Sequence, residues 1–175
     1  MKCELIKSPN VDDMMLFKRA LWITDRSRKG QIPTSIPSSD LLRKILRARH
    51  SPIRVLNFAF LFTDIPSNTA VHLCRHVHAQ PFVSSLRNDR QDELDGDAAR
   101  RDTPVDMIYY CNAEELQVIA NKRLCQKAAP KTREAVEMMC EQAIKAMPEL
   151  YGLLEPMCVR NGNICYEPNP CGRWE

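Results

Sequence analysis

Residues 53 to 63 read Ile-Arg-Val-Leu-Asn-Phe-Ala-Phe-Leu-Phe-Thr, which is the clearest structural pattern in the chain. Large apolar side chains stand at every second position of this segment: Leu56, Phe58, Phe60 and Phe62. A period of two indicates a β-strand with one buried face. We therefore predict a strand over Ile53–Thr63.

The flanking sequence is mostly helical in pattern. A strand is predicted at 2–6, and helices are predicted at 11–25, from about Asp40 after a cap at Ser38 or Ser39, at 66–76, at 112–128 and at 131–147. Asn112 and Glu115 have the spacing of a capping box. Residues 81 to about 106 read as irregular. Few strands among many helices predict an α/β (α+β) fold with one small mixed or antiparallel sheet packed against helices.

Composition excludes several classes of protein. The 175 residues suit one domain or one subunit of an oligomer. With 44% hydrophobic and 27% charged residues, the chain has the balance of a globular protein, and no apolar run reaches the roughly 20 residues that span a bilayer. The N-terminus lacks the pattern of a secretory signal, so we expect a cytoplasmic location. A net charge of +3 is too small to argue for a nucleic-acid partner.

Eight cysteines are many for this length. In a reducing compartment they act as free thiols or metal ligands more often than as disulfides. Cys158, Cys165 and Cys171 crowd the tail and form a candidate structural zinc site. Their spacing lacks the usual C-x2–4-C pair, and a fourth ligand would have to come from Cys125, Cys140 or a histidine. Free buried thiols are the favoured alternative.

A basic cluster follows the helix predicted at 66–76. It consists of Arg75-His76-Val77-His78, and Ser85 and Arg87 come shortly after it. Guanidinium groups match phosphate geometry, so this cluster can bind an anion. The alternative is a basic helix end that only complements the helix dipole.

This cluster resembles the signature of the flavin-dependent thymidylate synthases, which reads Arg-His-Arg, seven residues, then Ser, any residue and Arg. Arg75-His76 and Ser85-Leu86-Arg87 match it in register. Ser51-Pro52 stands before the predicted strand as in the family, and the family's downstream motifs appear as Asn112-Ala113, Leu116 and Asn121-Lys122-Arg123. The resemblance spans about residues 1–150, which we take as the domain, with 151–175 as a cysteine-rich tail packed on it.

The resemblance implies a homotetramer with active sites between subunits, FAD as cofactor, and NADPH and methylenetetrahydrofolate as co-substrates. By position it assigns to FAD the residues Ser51, Arg75, His76, Asn112 and Glu114. It assigns to the nucleotide the residues His72, Arg75, Ser85, Leu86, Arg87 and Arg123. Arg123 matches the active-site arginine of the family and is the predicted catalytic residue, because a guanidinium stabilises negative charge that develops on the uracil ring.

Several positions depart from the family pattern. They are Arg54 in place of Glu, His72 in place of Gln, Val77 in place of Arg, Phe82-Val83 in place of Asn-Glu, and Asp106 in place of a phosphate-binding Arg. Arg54, His78 or Arg90 could compensate for a single loss. Together the departures imply a changed nucleotide, a changed one-carbon reaction or lost catalysis.

Three functions follow from the resemblance and its gaps. The first is transfer of a one-carbon unit to C5 of a uracil nucleotide, dUMP by default. The second is methylation or hydroxymethylation of another pyrimidine nucleotide on the same flavin scaffold. The third is a non-catalytic relative that binds nucleotide or nucleic acid through the arginines Arg75, Arg87, Arg90, Arg100 and Arg101.

Overall fold

The sheet is antiparallel and small. The structure is a computed structural model that describes residues 1–25, 30–90 and 96–174. Within these ranges the strands are β1 (Lys2–Lys7), β2 (Asn57–Pro66), β3 (Gln80–Val83) and β4 (Pro104–Asn112). They lie in the order β1-β2-β4-β3, and every neighbouring pair is antiparallel. The predicted α/β (α+β) fold with a small antiparallel sheet is confirmed.

Helices cover one face of this sheet. They are α1 (Val11–Thr24), α2 (Ser39–Ala48), α3 (Ser67–Cys74), α4 (Ala113–Arg123), α5 (Pro130–Ala146) and the short α6 (Met157–Arg160). The first five correspond to the predicted helices, and Ser38 caps α2 as expected. No helix in the described part of the chain has the length and apolar character needed to cross a membrane.

The alternating phenylalanines form the centre of the core. Phe58, Phe60 and Phe62 are fully buried and lie opposite Cys111, Tyr109 and Met107 of β4. Helices α3 and α5 contact this side of the sheet. Burying each large apolar side chain contributes roughly 1.5–3 kcal/mol, so this face holds the fold together. The other face is partly open: Ile108 is 38% exposed and its neighbour Phe82 is 62% exposed.

Strand β2 begins later than predicted. Residues Ser51–Val55 form a 3₁₀ turn, and the strand runs from Asn57 to Pro66. Pro52 lacks an N–H group and has a fixed φ, so it suits the start of a helical turn better than a strand. Leu56 is buried but precedes the strand.

The prediction that residues 81 to about 106 are irregular is wrong at both ends. β3 begins at Gln80, and β4 begins at Pro104 and continues to Asn112. Buried and exposed residues alternate along β4, with Val105, Met107, Tyr109 and Cys111 facing the core. Residues 91–95 of this segment lie outside the described ranges.

The start of α4 differs from a capping box. Asn112 accepts a hydrogen bond from the backbone N–H of Glu115 at 2.9 Å, as predicted. The carboxylate of Glu115 does not reach back to the cap but contacts His76 instead. The helix also ends at Arg123, before the predicted boundary near Ala128, and Pro130 starts α5.

Candidate active site

The end of α3 meets the end of α4 through a direct side-chain contact. Nε of Arg123 donates to Nε2 of His76 at 3.0 Å. On its other side, Nδ1 of His76 lies 3.1 Å from a carboxylate oxygen of Glu115. His76 and Glu115 are both buried, at 9% and 4% exposure. Both ring nitrogens of His76 are therefore engaged, and the imidazole lies behind Arg123.

His72 forms a second hydrogen bond with the guanidinium of Arg123. Its backbone carbonyl accepts from Nη2 of Arg123 at 3.0 Å. The ring of His72 is held by the hydroxyl of Thr132 on α5, 2.7 Å from Nδ1. The side chain of Arg123 is therefore held at two points, by the ring of His76 and by the backbone carbonyl of His72.

Arg75 brings a second positive charge to this place. Arg75 is the residue directly after α3, and it is exposed. Burial lowers the pKa of the half-buried Arg123, and the charge of Arg75 lowers it further. Arg123 keeps its positive charge in spite of this shift, because a guanidinium is not deprotonated in proteins. Two positive charges that influence each other in this way favour a negatively charged ligand.

Three of the residues predicted to contact FAD, Ser51, Asn112 and Glu114, lie around the start of α4. The turn that begins with the exposed Ser51 packs against this helix start, and Asn112 caps it. Glu114 is not free, because its carboxylate binds Arg54 at 2.5 and 3.4 Å. Arg54, which departs from the family pattern, therefore neutralises one of the residues assigned to FAD.

The predicted Ser85-Leu86-Arg87 element lies apart from this cluster. Arg87 forms a bidentate ion pair with Asp89 at 2.9 Å, and the hydroxyl of Ser85 accepts from the backbone N–H of Arg87 at 3.2 Å. Leu86 is half-buried and packs against the core. Among the described residues of one subunit, no hydrogen bond or ion pair joins this element to Arg75 or Arg123.

Asp106 supports the sheet. Its carboxylate accepts from the backbone N–H of Asp64 at 3.1 Å, at a β2 bulge where Asp64 has a positive φ of 55°. Its backbone N–H binds the hydroxyl of Ser84, and its carbonyl accepts from the backbone N–H of Ser84. The aspartate has a structural task where the family pattern has a phosphate ligand.

Asn121 also has a structural role that its motif position did not suggest. The side chain is 1% exposed, accepts from Arg49 and donates to the carbonyl of Glu155 at 2.6 Å. Arg160 of the tail reaches the same helix, where it donates to Gln117 at 2.6 Å. These contacts tie Glu155 and Arg160 of the tail to α4. The sequence analysis missed them because the partners are far apart in the chain.

The cysteines do not form a metal site in the described residues. No three His, Cys, Asp or Glu side chains there come close enough to hold one ion, so the geometry does not support the zinc hypothesis for Cys158, Cys165 and Cys171. All eight cysteines are free thiols. Cys125, Cys158 and Cys165 instead line a cavity of about 430 Å³ between α4 and the tail.

Cys74 and Cys111 are two further thiols in the neighbourhood of α3 and β4. Cys74 immediately precedes Arg75, and burial raises its pKa. Burial also raises the pKa of Cys111 on β4. A thiol attacks as the thiolate, and burial disfavours the thiolate of both groups.

Comparison with known proteins identifies the fold. No protein-family model and no curated protein sequence matches the chain. A crystal structure of the flavin-dependent thymidylate synthase of Helicobacter pylori with FAD and dUMP superimposes with a TM-score of 0.69 at 13% identity, covering 89% of this chain and 100% of that chain. A second structure of that enzyme with the same ligands gives 0.63 at 14% identity, covering 81% and 93%.

A third similar structure is the UMP/dUMP methylase PolB of Streptomyces cacaoi bound with 5-Br dUMP. Its TM-score is 0.65 at 15% identity, covering 87% of this chain and 93% of that chain. The similarity therefore extends over most of both chains while few residues are shared. The chain has the fold of the flavin-dependent thymidylate synthases.

Proposed function

We propose that this protein is an FAD-dependent enzyme that transfers a one-carbon unit from methylenetetrahydrofolate to C5 of a uracil nucleotide, dUMP by default, with NADPH as reductant. One observation carries the proposal. Arg123, held by His76 and by the carbonyl of His72, stands beside the like charge of Arg75. The fold in which this pair occurs is that of enzymes solved with FAD and dUMP.

The residues present fit FAD by their chemistry. The cofactor is an anion with many acceptors, and Ser51, Arg75 and Asn112 offer a hydroxyl, a guanidinium and an amide. Glu114 would repel the cofactor if its charge were free, but Arg54 compensates that charge. His76 has both ring nitrogens engaged, so we assign it a supporting role behind Arg123. When bound and reduced, FAD supplies the hydride of the reaction.

Arg123 is the proposed catalytic residue, and its task is electrostatic. Two of its nitrogens are already bound to protein acceptors, which leaves Nη1 without a protein partner in the described residues. A guanidinium fixed in this way can bind the edge of a uracil ring and stabilise negative charge that develops there. Such preorganised donors need no reorganisation during the reaction. Methylation at C5 requires that kind of charge stabilisation.

Thiol chemistry is the less suitable route at this site. Cys74 precedes Arg75 in the sequence, Cys111 lies within β4, and burial raises the pKa of both thiols. A mechanism that attacks the base with a cysteine would need a thiolate. The raised pKa values therefore support a mechanism in which the cofactor, and not a cysteine, activates the pyrimidine.

We further propose a homotetramer whose sites form between subunits. Ser85 and Arg87 are assigned to the nucleotide, yet they do not contact Arg75 or Arg123 in one described chain. Next to this element, Phe82 and Ile108 expose large apolar side chains on the open face of the sheet. Association through this region would cover apolar surface and could bring Arg87 of one subunit to Arg123 of another.

The free state of all eight cysteines supports the cytoplasmic location.

Another pyrimidine nucleotide is the second candidate substrate. Val83 and Asp106 stand where the family pattern has a carboxylate and an arginine, and Asp106 is used by the sheet. The methylase with this fold is described as acting on both UMP and dUMP. A ribonucleotide substrate is therefore the specific alternative to dUMP.

Nucleic-acid binding is supported less well. Among the arginines considered for it, Arg87 is paired with Asp89, and Arg100 lies 3.4 Å from Asp102. These pairs reduce the positive potential that a polyanion would need.

The test is an anaerobic incubation of the purified protein with FAD, NADPH and methylenetetrahydrofolate. Separate reactions contain dUMP, UMP, dCMP or CMP, and products are identified by mass. We expect C5-methylated dUMP, formed only when FAD is present. A methylated product from UMP rather than dUMP, a hydroxymethylated product or a product from a cytosine nucleotide would support the second candidate. The absence of modified nucleotide from every reaction would contradict the proposal.

A further inference from the structure

Glu115 carries a carboxylate into the protein interior. The residue is 4% exposed, and the partner of its side chain in the described residues is Nδ1 of His76 at 3.1 Å. It lies in the first turn of α4, where the helix dipole favours negative charge. Burying a carboxylate is costly unless it is hydrogen-bonded. The burial of the Glu115 carboxylate against the ring of His76 therefore needs a specific explanation.

The hydrogen bonds determine which nitrogen of His76 carries the proton. Arg123 can only donate, so Nε2 of His76 must accept from it through a lone pair. A neutral imidazole has one N–H, and with Nε2 unprotonated that N–H belongs to Nδ1. Nδ1 can then donate to the carboxylate of Glu115. Glu115 thus favours the one tautomer in which His76 is an acceptor for Arg123.

The backbone keeps this imidazole in place. The N–H of His76 donates to the carbonyl of Leu73 at 3.1 Å, and its own carbonyl accepts from Ala79 at 3.0 Å. His76 therefore sits in a tight turn with little freedom to move away from Arg123. In the opposite tautomer, an N–H at Nε2 would face an N–H of the guanidinium, and Arg123 would keep only the carbonyl of His72 as a fixed acceptor.

We propose that Glu115 is a positioning residue that holds His76 in the Nδ1–H tautomer and thereby fixes the direction of the guanidinium of Arg123. The contacts run from Glu115 to His76 and from His76 to Arg123, so the buried acidic group lies two contacts away from the guanidinium of Arg123. Carboxylates that orient an imidazole in this way matter for function although they never touch the substrate. The catalytic consequence rests on the proposed function, whereas the tautomer does not.

The tautomer can be measured directly. The protein has four histidines, so ¹⁵N-histidine labelling gives few ring signals, and a His76→Gln variant assigns those of His76. We expect the wild-type protein to show a proton-bearing Nδ1 and an unprotonated Nε2 at His76. Glu115→Gln should keep this pattern because its amide oxygen still accepts from Nδ1–H. Glu115→Leu should shift the ring toward the Nε2–H form or toward exchange between forms.

Glu114→Gln is the matched control for the spectra. Glu114 is the adjacent carboxylate on the same helical turn, but it binds Arg54 and not His76. Its variant should leave the His76 ring signals unchanged. A wild-type ring protonated at Nε2 would overturn the proposal, as would a Glu115→Leu spectrum identical to that of wild type. If the Glu115→Leu variant does not fold, the protonation of the His76 ring in the wild-type protein decides the proposal by itself.

Turnover tests the consequence for Arg123. We expect Glu115→Leu to lower kcat by about 10–100-fold, the range for losing a group that orients a ligand-binding side chain. Glu115→Gln should recover most of that activity, and the loss should shrink in an Arg123→Lys background. Equal losses in both backgrounds would overturn the positioning role. If the wild-type protein forms no product, the proposed function is wrong. The ¹⁵N ring spectra then still decide whether Glu115 holds His76 in the Nδ1–H tautomer.

Discussion

Nε of Arg123 and Nε2 of His76 lie 3.0 Å apart in a hydrogen bond that joins two sequence motifs. His76 belongs to the Arg-His pair after α3, and Arg123 ends the Asn-x-Arg motif of α4. The two motifs were matched separately along the chain, and 47 residues separate them. Their contact shows what the two motifs do together: His76 from the first motif orients the guanidinium of Arg123 from the second.

Replacing Arg123 with lysine should remove most of the activity. Lysine keeps a positive charge but loses the planar fork that binds His76 and the His72 carbonyl at once. We predict a kcat loss of roughly 100-fold or more, the scale of removing one preorganised donor. Steady-state kinetics with dUMP measures this, and FAD fluorescence should show that flavin binding is retained.

The adjacent Lys122 provides the control for this change. Its ammonium pairs with Glu167 of the tail at 3.3 Å and has no contact with His76. Lys122→Met should leave kcat within a few-fold of wild type. Near-normal turnover of Arg123→Lys would make Arg123 an ordinary helix-end residue.

Asp106 should behave as a residue of the sheet. Asp106→Leu removes the acceptor for the N–H of Asp64, where the backbone has a positive φ. We predict a loss of about 1 kcal/mol in the free energy of unfolding, the net value of a typical hydrogen bond. Asp106→Asn keeps an acceptor oxygen and should lie closer to wild type. Urea denaturation of the three proteins measures the difference, and equal loss in both variants would argue against the bulge contact.

Asp106→Arg, which places the arginine of the family pattern at this position, should not be enough to create a phosphate site. Asp106→Arg would remove the same acceptor from the bulge, so we expect it to lower stability as the leucine variant does. Calorimetric titration with dUMP would show whether it tightens nucleotide binding in spite of that. The phosphate partner is instead expected from another arginine, with Arg87 the assigned candidate.

The buried thiols predict how stability changes with pH. Burial raises the pKa of Cys3 and Cys140 to about 12, from an ordinary value of 9.0. Above pH 9 the unfolded chain loses these protons while the folded chain keeps them. Stability is therefore full below about pH 9 and falls as the pH rises toward 12, by up to about 1.4 kcal/mol per pH unit for each thiol.

Cys140→Ala isolates one of these thiols. The free energy of unfolding, measured in urea at pH 8 and pH 10, should fall less in this variant than in wild type. The replacement also leaves a small cavity, but that cost is the same at both pH values. Equal falls in the two proteins would show that Cys140 ionises as readily in the folded chain as in the unfolded chain.

Asn112→Asp separates two roles of one residue. Asparagine and aspartate cap helices about equally well, so the hydrogen bond from the N–H of Glu115 should survive and the melting temperature should hardly change. The substitution removes the amide donor and adds a negative charge. If Asn112 contacts FAD, the affinity for FAD should fall. Unchanged affinity would leave Asn112 as a cap alone.

Much of the fold was predictable because its signals are local. The phenylalanine alternation of β2 and the serine cap of α2 each act within a few residues. Strand β4 was missed although its buried residues alternate in the same way. Asp106 near its start and Asn112 at its end resemble loop residues, and both accept hydrogen bonds there, Asp106 from the backbone N–H of Asp64 and Asn112 from that of Glu115.

The site was predictable only as a set of residues. The Arg-His and Asn-x-Arg motifs located Arg75, His76 and Arg123, but they did not show that His76 faces Arg123. Glu115 was assigned to a local cap because it lies three residues after Asn112, yet its partner is 39 residues away. Asn121 was matched as part of a motif, and the structure gives it the task of binding Arg49 and the tail. Such tertiary pairings leave no local pattern.

Titration of the purified protein with FAD, followed by flavin fluorescence, tests the central claim most directly. Every step proposed for Arg75, Asn112 and Arg123 depends on a bound flavin. The account predicts saturable binding of one FAD per subunit with a Kd below about 30 µM, which is roughly 6 kcal/mol of binding free energy. Binding should tighten or change its spectrum when dUMP is added, because the two ligands share a site. No change in flavin fluorescence over that range would contradict it.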